Sequence, residues 1–288
     1  MTRLNKLPFS KLLMVYLFLV IGEQGGQLFN VESSVLSESI LGVSVAKAEI
    51  IEKPIEYSDG QQKLNGILYS DSSLPNQLPG VIVFSDWMGV GEFAKERAKE
   101  LAALGYRAFV ADIYGDGKQA KDAKEAGELA TKFKADRKLI RSRAQAALKE
   151  LLKSSPVDSS KVGAIGFCFG GTVALELVRD RAPLAGIVSF HGGLMTPMPA
   201  EKGAVTASLL VLHGADDPWV PAKEVADFEA EMTSAGATWQ LVKYSQSVHA
   251  FTNPAAGNDP SKGAAYNPKV ANRAYTAMRD FFGEVLSK

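Results

Sequence analysis

In Lys161-Val162-Gly163-Ala164-Ile165-Gly166-Phe167-Cys168-Phe169-Gly170-Gly171-Thr172, a buried strand meets a helix across a turn flanked by glycines. Lys161 to Ile165 is short and β-branched, and it follows a Pro156/Ser159/Ser160 turn region, so it reads as a strand. Thr172 to Arg179 sets Val173, Leu177 and Val178 at helical spacing. Strand, sharp turn and helix are the context of a nucleophile elbow, G-x-S-x-G, with Cys168 in place of serine. The glycines suit a turn too tight for neighbouring Cβ atoms, and the helix N-terminus behind Cys168 favours an anion there. The bland alternative is a small buried thiol on a glycine-packed helix, and in isolation it is equally good. The rest of the chain decides between them.

Working outward, Lys53 to Tyr57 and Lys63 to Tyr69 read as two strands around the Ser58-Asp59-Gly60 turn. Gly80 to Phe84 is a continuous apolar run, as expected of a strand covered on both faces. Phe93 to Leu104 is an amphipathic helix stopped by Gly105, and Tyr106 to Ala111 is the next strand. Gly117 to Lys134, rich in charge and alanine, reads as a solvated helical excursion, and Asp136 to Lys153 as a helix with an apolar stripe. Past the elbow come strands at Ala185 to Phe190, Ser208 to Leu212 and Thr238 to Tyr244, and helices at Ala222 to Ser234 and Pro268 to Leu286. Strand alternating with helix predicts an α/β fold, a mostly parallel central sheet with helices on both faces.

The composition is that of an ordinary globular protein, with 32 basic residues balancing 32 acidic ones. Nothing in that balance favours nucleic acid. A lone cysteine excludes an internal disulfide framework, and no Cys/His cluster suggests structural zinc.

Residues 1–48 differ from the body, which is expected to be one domain over 49–288. Arg3, Lys6 and Lys11 precede the apolar run Leu12 to Ile21, which is shorter than the roughly 20 residues of a spanning helix. The segment reads as an export leader with no stable membrane partner beyond it. Ala46-Lys47-Ala48 resembles a cleavage site, although it lies far downstream of the apolar run. The expected location is periplasmic or secreted, and the alternative is a cytoplasmic protein with a misassigned start.

A cysteine nucleophile needs a base to take its proton and a carboxylate to orient the base. In chain order the acid and then the histidine should follow the nucleophile. Leu209 to Val220 is a strand followed by a polar loop carrying Asp216 and Asp217; Asp217 is preferred, with Asp216 capping the loop. His249, after the last strand, stands where the base belongs. Turn chemistry could explain the aspartates and surface exposure the histidine, but all three residues fall in order at strand ends. His191 ends another strand and is a candidate for the pocket or for control of the thiol. A metal site from His191, His213 and Asp216 is conceivable but matches no recognised ligand spacing. The oxyanion donors expected of such an elbow are the N–H groups of Phe169 and of Trp87, in the loop after the Val81 to Phe84 strand.

The motifs Gly166-Phe167-Cys168-Phe169-Gly170-Gly171, Asp86-Trp87-Met88-Gly89-Val90, Ala111-Asp112-Ile113-Tyr114-Gly115, Gly214-Ala215-Asp216-Asp217-Pro218 and His249-Ala250-Phe251 carry a resemblance. From about residue 50 to 286 the chain resembles the dienelactone hydrolase (carboxymethylenebutenolidase-like) family of the α/β-hydrolase fold. The resemblance implies a Cys168–His249–Asp217 triad, with Trp87 and Phe169 as oxyanion donors and no cofactor or metal. Two positions depart from the family pattern. A glutamate that helps control the thiol is replaced by Asp86, and the arginine expected just after the histidine is missing from Phe251-Thr252-Asn253. Arg137, Arg141 and Arg143 are candidates to hold a substrate carboxylate instead.

The leading expectation is an ester or lactone hydrolase working through a Cys168 thioester on a small-molecule substrate, as a monomer or small homo-oligomer. A broad carboxylesterase or thioesterase shares the same triad. A non-catalytic exported binding protein with this fold is the alternative from another class, and intact triad positions speak against it.

Overall fold

The strands of the sheet follow the order β1-β2-β4-β3-β5-β6-β7-β8. These are β1 (Ile50–Asp59), β2 (Gln62–Asp71), β3 (Leu78–Phe84), β4 (Arg107–Ala111), β5 (Val157–Phe167), β6 (Gly186–Phe190), β7 (Ser208–Gly214) and β8 (Trp239–Tyr244). The pairs β1–β2 and β2–β4 are antiparallel and every other neighbouring pair is parallel. This computed structural model describes residues 49–75 and 77–287, all within one compact unit. The segment read as an export leader lies outside the described residues, and among these no helix is long and apolar enough to cross a membrane.

Period-2 alternation sorts the central strands between two cores. Ile82 and Phe84 of β3 and Val162 and Ala164 of β5 face one side; Val81, Val83, Ile165 and Phe167 face the other. The first side is covered by α3 (Arg137–Ser154), α4 (Phe169–Arg179) and α5 (Ala222–Ala235). The second is covered by α1 (Glu92–Ala103) and α6 (Pro268–Val285). Burial of each Val, Ile or Phe side chain here contributes roughly 1.5–3 kcal/mol, against about 1 kcal/mol for a typical helix cap, so the sheet core outweighs the caps.

Side-chain caps set three of the six α-helix starts among the described residues. Asp136 Oδ1 accepts from the Leu139 N–H at 3.0 Å, and Asn267 Oδ1 from the Val270 N–H at 3.3 Å with Pro268 at the first turn. Asp122 caps α2 (Ala123–Ala135) by accepting from Glu125 N–H at 2.9 Å. The expected excursion over 117–134 is therefore a loop up to Asp122 and only then a helix. It is not simply solvated: Ala126, Ala130 and Phe133, spaced for one helical face, are buried.

The elbow region also differs from expectation at both ends. Strand β5 starts at Val157, because the Pro156/Ser159/Ser160 region still pairs with β3 through Leu78 and Val157, across an irregularity before Gly80. Helix α4 starts at Phe169, so Gly170 and Gly171 lie inside its first turn. A Cβ on Gly170 would run into the carbonyl oxygens of Phe84 and Ser85, and one on Gly166 into the Gly170 carbonyl. That close approach presses the start of α4 onto the end of β3.

Both β4 and β5 neighbour β3 and cross over to opposite sides of it, which makes the C-terminal end of β3 a topological switch point. Open parallel sheets place ligands at such a point. The loops carrying Asp86, Cys168, His191, Asp217 and His249 follow β3, β5, β6, β7 and β8 at that end.

Candidate active site

Cys168 is the elbow residue. Its φ of 53° and ψ of −115° lie where a residue with a Cβ is strained, and the surrounding packing holds it there. Its N–H meets Phe190 O at 3.0 Å and His191 Nδ1 at 3.2 Å, and its carbonyl accepts from Gly171 and Thr172. The thiol is part-exposed and lines a cavity of about 620 Å³.

His249 lines the same cavity, and its Nδ1 lies 2.8 Å from Asp217 Oδ2. Asp217 is held in turn, since its Oδ1 accepts from the Trp219 N–H at 2.9 Å. Asp216 is exposed and uses its backbone N–H on Ser247 O, so of the two aspartates only Asp217 reaches the imidazole. The His249 backbone is pinned by Gly263 O and the Ala265 N–H, and the Trp219 ring stands edge-on at 4.8 Å. Burial alone would lower the imidazole pKa. The charge on Cys168, with hydrogen bonds to Asp217 and Cys168, outweighs burial and lifts it to about 10.

His191 is brought to the back of the elbow. With Nδ1 accepting from Cys168, Nε2 carries the proton and donates to Thr252 Oγ1 at 2.7 Å. Burial, then the neighbouring His249, push its pKa well below the usual range, so it is neutral. His213 is buried nearby with its pKa lowered, and among the described residues no cluster of His, Cys, Asp and Glu is arranged to hold a metal ion.

The N–H groups of Trp87 and Phe169 meet no acceptor among the described residues, and both residues line the cavity. The rest of the Trp87 turn is engaged. Asp86 O accepts from Gly89 N–H at 3.3 Å, and Asp86 Oδ1 from Met88 N–H at 2.9 Å. Asp86 Oδ2 accepts from Asn253 Nδ2 at 3.2 Å. Burial raises the Asp86 carboxyl above its ordinary value, against the pull of these two donors and of His249.

None of the three candidate arginines lines the cavity. Arg141 pairs with the fully buried Glu176 at 2.8 Å and donates to Met198 O, and Arg137 donates to Met195 O. Arg143 pairs with Asp59 at 3.1 Å. Arg137 and Arg141 tie down the segment after β6, whose Leu194 and Met195 N–H groups go to Glu224. Lys134 is the cationic side chain of the cavity wall, which is otherwise mostly apolar. Sequence reasoning missed Lys134, Trp219 and Thr252. The spacing of Ala126, Ala130 and Phe133 could have put Lys134 beside a buried face.

A cysteine elbow at the switch point of a largely parallel sheet, with an aspartate after β7 and a histidine after β8, defines an α/β-hydrolase. Residues 64–286 match the model of the dienelactone hydrolase family, and the chain belongs to that family. It is a hydrolase of ester or lactone bonds. The solved structure called m3DLH is 39% identical, with a TM-score of 0.79 over 83% of this chain and 99% of that one. A dienelactone hydrolase-like promiscuous phosphotriesterase from metagenomic libraries is 40% identical, with a TM-score of 0.79 over 84% of this chain and all of that one. A protein of a Bradyrhizobium species, described as a "Probable 2-oxo-3-(5-oxofuran-2-ylidene)propanoate lactonase", is 31% identical over 61% of this chain and 74% of its own.

Proposed function

We propose that the chain hydrolyses neutral esters or lactones by acyl transfer through Cys168, with His249 as acid and base and Asp217 fixing the imidazole. The observation that carries the reading is the 2.8 Å pair between His249 Nδ1 and Asp217 Oδ2 beside the strained Cys168 turn. The Cys168 thiolate attacks the carbonyl carbon, and the charge that develops on oxygen is taken by the Trp87 and Phe169 N–H groups. His249 gives its proton to the leaving oxygen as the C–O bond breaks and a thioester remains. Neutral His249 then takes a proton from water; the hydroxide adds to the thioester and the thiolate departs. Asp86 and His191 shape the thiol's surroundings and are not given a bond-making step.

The cavity wall argues for neutral substrates. A site built around a carboxylate discriminates strongly against substrates that lack one, and here Lys134 stands without an arginine. Comparison of kcat/KM for a matched neutral and anionic lactone is the test. A preference for the anion of 100-fold or more, on the order expected for a lost charged partner, would overturn it. Neutral phosphotriesters are a second reading, favoured by the same mostly apolar wall and by the 40% identical phosphotriesterase. Turnover of a nitrophenyl dialkyl phosphate, absent in Cys168→Ala, is the expected result.

A further inference from the structure

We propose that Tyr114 is a positioning residue for the oxyanion hole, holding both of its donors at once; this rests on the acyl-transfer reading above. Tyr114 lies in the loop after β4 and is not part of the cavity wall. Its hydroxyl donates to Trp87 O at 2.9 Å, and its ring stacks on Phe169 with centroids 5.4 Å apart and planes at 28°. One side chain therefore touches the two residues whose N–H groups are left free. Burial, with the charges on Cys168 and Asp86, raises the phenol pKa far above its usual value, so it stays a donor.

The geometry explains what the contact does. A peptide's N–H and C=O point in opposite directions. The Asp86 carbonyl is turned to Gly89, so the Trp87 N–H on the same peptide faces away from that turn. The next peptide is fixed at both ends, by Asp86 Oδ1 on the Met88 N–H and by the Tyr114 hydroxyl on the Trp87 carbonyl. With both planes fixed, the Trp87 N–H has one direction. The loop that carries Tyr114 is itself rigid. Asp112, fully buried, accepts from Gly115 N–H at 2.8 Å and from Asn65 and Gly117 N–H at 3.0 and 2.7 Å. The neighbouring carbonyls of Met88 and Val90 are met by Ala120 N–H and the Gln119 amide, so the two loops dock along their length. Tyr114 is the contact that extends this docking to the elbow.

The test separates oxyanion stabilisation from thiol activation. Alkylation of Cys168 by iodoacetamide displaces iodide at a saturated carbon and develops no oxyanion, whereas ester turnover does. Tyr114→Phe keeps the ring and drops the hydroxyl. It should lower kcat for a neutral nitrophenyl ester about tenfold, less than the loss of a whole donor, with KM unchanged. The alkylation rate should stay within about twofold, because a structural role would move both rates together. Tyr114→Leu, which also removes the stack, should lose more. Unchanged kcat in Tyr114→Phe, or alkylation that falls in step with kcat, overturns the assignment. Failure of the acyl-transfer reading would show differently, as parent protein that keeps its turnover after complete alkylation of Cys168.

Discussion

The backbone N–H of Cys168 lies 3.2 Å from Nδ1 of His191, so the elbow residue is bonded to a side chain from the end of the neighbouring strand. The bond requires an unprotonated Nδ1, and it continues through Nε2 to Thr252, at 2.7 Å. The rings of His191 and His249 are 5.2 Å apart. Keeping His191 neutral therefore spares the His249 cation a like charge at close range. This geometry supports the reading proposed above, that His191, which also lines the cavity, shapes the surroundings of the thiol.

Replacing His191 by Phe should remove one of the two acceptors of Cys168 N–H, leaving Phe190 O, and take away the imidazole donor of the buried Thr252 hydroxyl. The expected cost is about 1–3 kcal/mol of stability, read as a shift in urea midpoint at constant slope. Activity should fall with it, while KM stays near the parent value. A variant with parent stability and parent kcat would remove His191 from the elbow's support.

Three histidines make the pH behaviour directly observable by NMR. His249 should titrate near 10, and His191 well below 6.5. The signs follow from linkage. A folded pKa raised above the unfolded value gives stability that is present below about 6.5 and lost as pH rises through about 10. The lowered pKa values of His191 and His213 give stability that is present above 6.5 and declines as pH falls below it. Because the charge on Cys168 does more than any other neighbour to raise His249, Cys168→Ala should bring that titration down. A His249 resonance still titrating near 10 in Cys168→Ala would sink this account.

The two adjacent aspartates make a controlled comparison. Asp217→Asn should reduce kcat by roughly 10³–10⁴, as in triads where the orienting carboxylate is lost. Asp216 is exposed and contributes only its backbone to the loop, so Asp216→Asn should stay within about twofold. Equal losses would mean that the carboxylates act through the loop and not through His249.

Much of this architecture is legible in the chain because it follows from local rules. Apolar runs such as Gly80 to Phe84, alternating with helical patterns, give the parallel sheet, and the order Cys168, Asp217, His249 puts these three residues at strand ends. The motif favours Asp217 over Asp216, and Asp217 is the one whose carboxylate meets the imidazole. What is not legible depends on side chains meeting across long separations. Arg137 and Arg141 look like free cations in sequence, but Glu176 on α4 and carbonyls of the segment after β6 engage them. Tyr114 stands within a motif, yet only the docking of two loops shows what its hydroxyl meets. Residues 117–134 look solvated because charge dominates their composition. The buried face of Ala126, Ala130 and Phe133 occupies one position in three or four.

The same substitution at two helical glycines should act with opposite sign. At Gly170, inside the first turn of α4, a new Cβ would collide with the Phe84 and Ser85 carbonyls at the end of β3. Those atoms belong to a central strand paired on both sides, so they cannot move without breaking the sheet end that carries Asp86 and Trp87. Gly170→Ala should cost about 3 kcal/mol or more, at the upper end for overpacking, and should lower ester turnover because Cys168 and Trp87 are driven apart. At Gly283, exposed on α6, an added Cβ meets nothing within 4 Å. There the methyl only reduces the freedom of the unfolded chain and improves helix propensity, so Gly283→Ala should stabilise by about 0.5–1 kcal/mol with activity unchanged. Urea denaturation of the two single variants reads both signs. A Gly170→Ala protein as stable as Gly283→Ala would mean that the elbow is not pressed against β3 as described.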